Sequence, residues 1–175
     1  MTGKTHLAAG ALAGAAVGRL TGCPLAGLAV GALAGLLPDI DEPHSTVGRR
    51  ALPISIAVNL FAGHRGVTHT VWFCAGAGIL FAFISAAVGG HARALLHGWP
   101  HPLAVGLAAF LGALSHLLVD ACTRSGVEPF APLRLPEKLK WLEHPKGPIA
   151  TGTELVETPL AILLFILSFK IGGVF

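Results

Sequence analysis

Charged residues are scarce in this chain: they make up 12% of 175 residues, against 53% hydrophobic and a mean hydropathy of +0.71. Soluble domains carry about a quarter charged residues, so the apolar surplus exceeds what one water-solvated core can hide. The length suits a single domain, 1–175, and a membrane is the natural solvent for it. A basic stripe is lacking too. The formal charge is only +3 and the basic residues are scattered among loops, which gives nucleic-acid binding no support. Cysteine is sparse and odd in number: Cys23, Cys74 and Cys122 lie in or beside apolar segments without metal-finger spacing, which argues against a disulfide framework.

What is present is a set of apolar runs. Five are marked, at Thr5–Leu20, Pro24–Leu37, Val67–Val88, Leu103–Cys122 and Leu155–Ile171. A weaker stretch, Leu52–Phe61, holds Pro53, Ser55 and Asn59 and reads as a short interfacial or membrane-dipping helix. The last three runs match the ~20 residues that a spanning helix needs, whereas the first two are short and suit interior or re-entrant positions. Lys4 followed by an apolar stretch resembles a signal peptide, but glycine studs that stretch and Arg19 precedes any tidy cleavage site. It is expected to be retained. The fold class expected is therefore all-α: a polytopic helical membrane bundle of about five membrane helices plus one interfacial helix.

The first two runs form a degenerate repeat. Gly10, Gly14 and Gly18 recur every fourth residue in one, and Gly27, Gly31 and Gly35 do so in the other. Such GxxxG-type stripes let two helix backbones approach closely, so a packed hairpin turning at Thr21-Gly22-Cys23-Pro24 is predicted. A hairpin returns the chain to its starting side. That parity puts Lys4, Arg49, Arg50, Arg65, Arg124, Arg134, Lys138, Lys140 and Lys146 on one side and Arg19, Arg93 and Lys170 on the other. Nine against three makes the first side cytoplasmic, in a multi-pass protein of the cell's inner (plasma) membrane. All nine Asp and Glu residues fall on or within a turn of that same side, as do His6, His44, His64, His69, His116 and His144. Insertion rules do not require that segregation.

Four clusters at those helix ends carry chemistry. They are Thr5-His6, Leu37-Pro38-Asp39-Ile40-Asp41, His64-Arg65-Gly66-Val67-Thr68-His69 and His116-Leu117-Leu118-Val119-Asp120. His116 and Asp120, four apart, share a helix face and can reach one metal ion or one each of a pair. An ionisable pair at membrane depth is expensive and usually functional. His64 and His69 flank a bend across which they can converge, with Thr68 as N-cap of the next helix. Asp39 and Asp41, two apart in extended chain after Pro38, point to opposite sides, so that one ligates while the other orients a histidine. Imidazole and carboxylate without thiolate suit Zn²⁺ best, with Mn²⁺ or Fe²⁺ as alternatives.

In this order and at these helix ends, the clusters resemble the YdjM-type metal-dependent hydrolases, also described as LexA-binding and inner-membrane-associated. Thr123-Arg124-Ser125-Gly126-Val127, the proline-rich stretch Pro129–Pro136, and Thr151-Gly152-Thr153-Glu154 match that pattern further, so the resemblance covers nearly the whole chain. It implies a small helical inner-membrane protein with a metal-dependent hydrolase activity.

The expected centre therefore holds two or three divalent ions through His6, Asp39, His64, His69, His116 and Asp120. Asp41 or Glu154 would be the orienting residue or general base, and Arg65 and Lys146 would hold phosphate oxygens. Water activated at the metal would attack a phosphoester or other ester of a membrane lipid or membrane-associated substrate. Two rivals stand beside this reading. One is a structural metal site tying helix ends together. The other is a metal or proton transporter, which would need polar groups deep in the helices. Between Val71 and Ala113 the ionisable residues lie only in the loop far from the clusters.

Overall fold

The computed structural model describes residues 1–62, 66–95, 100–150 and 154–173. Six α-helices are formed: α1 (Gly3–Thr21), α2 (Pro24–Ala34), α3 (Leu52–Ala62), α4 (Val71–Leu95), α5 (Pro102–Ala121) and α6 (Glu154–Gly172). Short 3₁₀ turns cover Leu37–Asp41, Val67–His69 and Glu137–Leu142. Among the described residues there is no strand, only an isolated pairing of Thr123 with Ile149. The protein is an all-α helical membrane bundle.

Among the described residues, four stretches are long and apolar enough to cross a membrane: Pro24–Asp41, Val71–Gly89, Pro102–Ala121 and Leu155–Gly172. The first is α2 extended by the 3₁₀ turn after it. The helix missing from that set is α1, which lies inside the bundle with α2, α5 and α6 packed around it. The alanines Ala8, Ala9, Ala11 and Ala15 on its faces are buried. α4 lies outermost against α5, and α4 and α6 turn Ile79, Phe83, Leu155 and Ile162 outward, where lipid is their natural solvent.

The hairpin of α1 and α2 turns as the sequence predicts. Gly22 takes a left-handed conformation (φ 79°) that accommodates glycine best, and Pro24 opens α2 at a position where its missing N–H costs nothing. Along the hairpin the glycine stripes lie backbone against backbone: a Cβ on Gly10 would strike the Gly31 carbonyl, and one on Gly14 the Gly27 carbonyl. α5 joins the contact. A Cβ on Gly112 would come within 2.5 Å of Gly31 O, so three helices meet where none carries a side chain. One helical turn beyond this node stand His6 on α1, Gly35 at the end of α2 and His116 on α5. The backbone contact thereby sets the distances within the cluster above it.

α3 forms over the stretch expected to be a short interfacial or membrane-dipping helix. It exposes Leu52, Ile54, Ile56 and Leu60, while Asn59 Nδ2 donates to Asp41 O at 2.7 Å. The helix expected from Val67 begins at Val71. A 3₁₀ turn precedes it, and extended Thr70 caps it, its Oγ1 accepting from Phe73 N at 3.3 Å and donating to Val67 O at 2.7 Å. Thr68 is thus not the cap; its hydroxyl is spent elsewhere. The long loop after α5 is pinned back onto it by Gly147 N donating to Thr123 O (2.9 Å) and Arg124 N to Ile149 O (2.9 Å).

Candidate metal centre

Five of the six residues expected as ligands converge at one end of the bundle, delivered by four local elements. His6 sits in the second turn of α1, Asp39 in the 3₁₀ turn after α2, His69 in the turn before α4, and His116 and Asp120 on the last turns of α5. His6, His69, His116 and Asp120 are fully buried, and Asp39 keeps 18% of its side chain exposed. The sixth, His64, and the anion-binding candidate Arg65 lie outside the described residues, as does the side chain of Glu154. Lys146 is exposed beside Gly126, in the loop after α5.

The hydrogen bonds fix which ring nitrogens face inward. His116 Nδ1 donates to Gly35 O at 2.8 Å, so its Nε2 presents a lone pair. Thr68 Oγ1 donates to Asp41 Oδ2 at 2.7 Å, which leaves that oxygen to accept from His69 Nδ1 at 3.1 Å. Asp41 Oδ2 itself lies 3.4 Å from the same nitrogen. His69 Nε2 therefore also faces inward with a lone pair, and it lies 3.3 Å from His116 Nε2. Around the pair stand Asp120 Oδ2, 3.5 Å from His116 Nε2 and 3.7 Å from His69 Nε2, and Asp39 Oδ1, 3.6 Å from His116 Nε2.

Two lone pairs aimed at each other in a buried site repel unless a cation lies between them. Nitrogens bound at about 2.0–2.1 Å in a tetrahedral array stand about 3.3–3.4 Å apart, which is the separation found. His6 adds a second sign. Its ring stacks on His116 with centroids 3.6 Å apart, and neither of its buried nitrogens makes a hydrogen bond among the described residues. Its Nε2 is 3.4 Å from Asp120 Oδ1, the carboxylate oxygen turned away from the other two histidines. The Met1 amine donates to that same oxygen at 2.7 Å. Two groupings, His69–His116–Asp120, fully buried, and His6–Asp39–His116, could each hold a metal ion.

The two aspartates after Pro38 face different histidines, by a different route from the extended chain expected. The chain there is a 3₁₀ turn and not extended, yet Asp39 faces His116 while Asp41 lies behind His69. Fully buried and engaged with Thr68, Asp41 is placed to orient an imidazole and not to meet a substrate. Opening above the cluster is a cavity of about 420 Å³, with Asp39 and Asp120 on its floor and His44, Thr46 and Arg49 around it. Sequence reasoning passed over Thr68 as clamp, Gly35 O as tautomer-setting acceptor, and Glu157. Glu157 is buried on α6 and accepts from Thr2 N at 2.6 Å, anchoring the start of α1. An acidic residue inside an apolar run was the signal for it. Among the histidines expected far from the site, His101 caps α5 by accepting from Leu103 N at 3.2 Å.

The family described as YdjM inner membrane protein matches residues 1–173. The chain belongs to the YdjM inner membrane protein family. YvsG of Bacillus subtilis (strain 168) is 29% identical over 170 residues, covering 94% of this chain and 97% of that protein. The inner membrane protein YdjM of Escherichia coli (strain K12) is 35% identical over 112 residues, 64% of this chain. That match spans about half of the E. coli protein, 52% of its length. The Shigella flexneri inner membrane protein YdjM matches to the same extent. No solved structure is similar.

Proposed function

We propose that this YdjM-family membrane protein is a metal-dependent hydrolase whose centre lies at the cytoplasmic end of the bundle and cleaves an ester, most simply a phosphoester, of a membrane-associated substrate. The observation carrying this reading is the 3.3 Å approach of two imidazole nitrogens beside a buried carboxylate and below an open cavity. His69 Nε2, His116 Nε2 and Asp120 Oδ2 would hold a divalent ion, zinc by the chemistry of the donors, with His6 and Asp120 Oδ1 marking a second position. A divalent ion there supplies a Lewis acid that polarises an ester oxygen and acidifies water.

The chain's own groups do the rest. Gly35 O and Thr68 Oγ1, the latter committed to Asp41, would hold His116 and His69 in the tautomers that bind metal. Asp39, the partly exposed carboxylate on the cavity floor, takes the proton from the attacking water. His69, His116 and Asp120 would supply three ligands, and a catalytic ion held by them would need its remaining position open, which a closed structural site would lack. The cytoplasmic orientation rests on the nine-to-three distribution of basic residues.

The test is metal content on detergent-purified protein, with anomalous scattering to place ions. A turnover screen of phospholipids, lipid phosphates and simple phosphodiesters follows. Bound ions saturated by protein, with no metal-dependent turnover of any substrate class, would move the assignment to a structural metal site.

A further inference from the structure

The cavity above the centre has a wall built from residues that the hydrolase reading leaves idle. Residues 42–50 form a strap over the centre, and its path is tied to a candidate ligand. Ser45 Oγ donates to Asp39 O at 2.7 Å and accepts from Gly48 N at 2.8 Å, and Arg49 N donates to Ser45 O at 3.1 Å. Gly48 is packed so closely that a Cβ would strike Glu42 O, which holds the strap in one path. Arg49 projects from it onto the same cavity that has Asp39 and Asp120 at its floor. Its guanidinium makes no hydrogen bond or ion pair among the described residues, whereas the neighbouring Arg50 spends Nη1 on Thr46 O at 3.0 Å.

The other side chains on the wall are polar. Among the described residues, Met1 is the sole large apolar side chain there, so acyl chains find no surface in this cavity. Asp39, Glu42 and Asp120 would repel an anion, and among the described residues Arg49 is the one guanidinium on the wall to offset them. Its fork of N–H donors matches the oxygens of a phosphate, one oxygen of which is left for the metal position. A neutral carboxylic ester would leave that fork unpaired.

We infer that Arg49 binds the phosphate group of the substrate, so that the substrate class is phosphate esters whose polar end enters the cavity while any acyl chains stay in lipid. This rests on the hydrolase reading for the metal beneath, and the two can fail separately. The experiment uses the full chain in phosphatidylcholine nanodiscs, loaded with Zn²⁺ or Mn²⁺, and titrates inorganic phosphate calorimetrically. Arg49→Gln should weaken phosphate binding by at least about tenfold at unchanged metal content, Arg49→Lys less, and Arg50→Gln by less than about twofold. A second arm places phosphatidic acid in the disc. Competition with inorganic phosphate in the wild type but not in Arg49→Gln assigns the phosphate to a lipid headgroup; no competition assigns it to a soluble ester. Equal phosphate affinity in the wild type and Arg49→Gln overturns the inference, as does no phosphate binding to the wild type. A wild type that takes up no metal yet binds phosphate through Arg49 defeats the hydrolase reading alone.

Discussion

His69 Nε2 and His116 Nε2 face each other across 3.3 Å, and each ring's other nitrogen is a committed donor. Such a pair is stable only with positive charge between its members. His116→Ala, His69→Ala and Asp120→Ala should therefore each lower bound metal to less than about a tenth of the wild-type affinity. His101→Ala, which removes only a helix cap, should leave it unchanged. Elemental analysis of the purified variants decides this. Equal metal in all four would remove the centre.

Asp41 touches His69 and Thr68 and is shut off from the cavity. Asp41→Asn should weaken metal binding about 10–100-fold, because an amide no longer fixes the donating tautomer of His69. Thr68→Val should act in the same direction. Competition with a metal-binding dye gives the affinities.

Asp39 should separate binding from turnover. Its carboxylate is the partly exposed one at the cavity floor, so Asp39→Asn should keep most of the metal and lose turnover by about 10²–10⁴-fold. Loss of metal in step with activity would make Asp39 a ligand instead.

The glycine node predicts a contrast between two identical substitutions. Gly112→Ala puts a methyl 2.5 Å from Gly31 O and should cost about 1–3 kcal/mol while moving His116. Gly76→Ala on α4 meets nothing within 4 Å and should be neutral or stabilising by up to about 1 kcal/mol. Thermal unfolding in detergent compares them.

The basic-residue count predicts sidedness. In a background with Cys23, Cys74 and Cys122 replaced, a cysteine at Glu143 should resist an impermeant reagent in intact cells, while one at Gly90 should react. Labelling of the first from outside would reverse the topology.

Much of this architecture was legible because membrane helices announce themselves by unbroken hydropathy, and glycine at every fourth residue announces a close crossing. The gathering of these side chains was legible for a related reason: an imidazole or carboxylate at the end of an apolar run has few structural uses. Boundaries within polar turns were less so. Thr68 and Thr70 are equivalent as caps on paper, and only the 3₁₀ turn around His69 assigns the cap to Thr70 and the Asp41 clamp to Thr68. The alternation argument for Asp39 and Asp41 assumed extended chain, whereas a 3₁₀ turn also puts residues two apart on different sides. Backbone acceptors such as Gly35 O have no sequence signature, and Arg49 looked like one more topology-setting charge until the strap set it over the cavity.

The side-chain-free meeting of α1, α2 and α5 also decides how the centre responds to its bilayer. A lipid thicker or thinner than the apolar helices forces tilt, and tilt needs surfaces that can slide. α4 and α6, outward for most of their length, can rotate against lipid. The backbone of Gly31 wedged between Gly10 and Gly112 cannot, because any slip drives carbonyl into Cα. Hydrophobic mismatch is therefore absorbed at the periphery, and metal affinity should stay constant across membranes of different thickness.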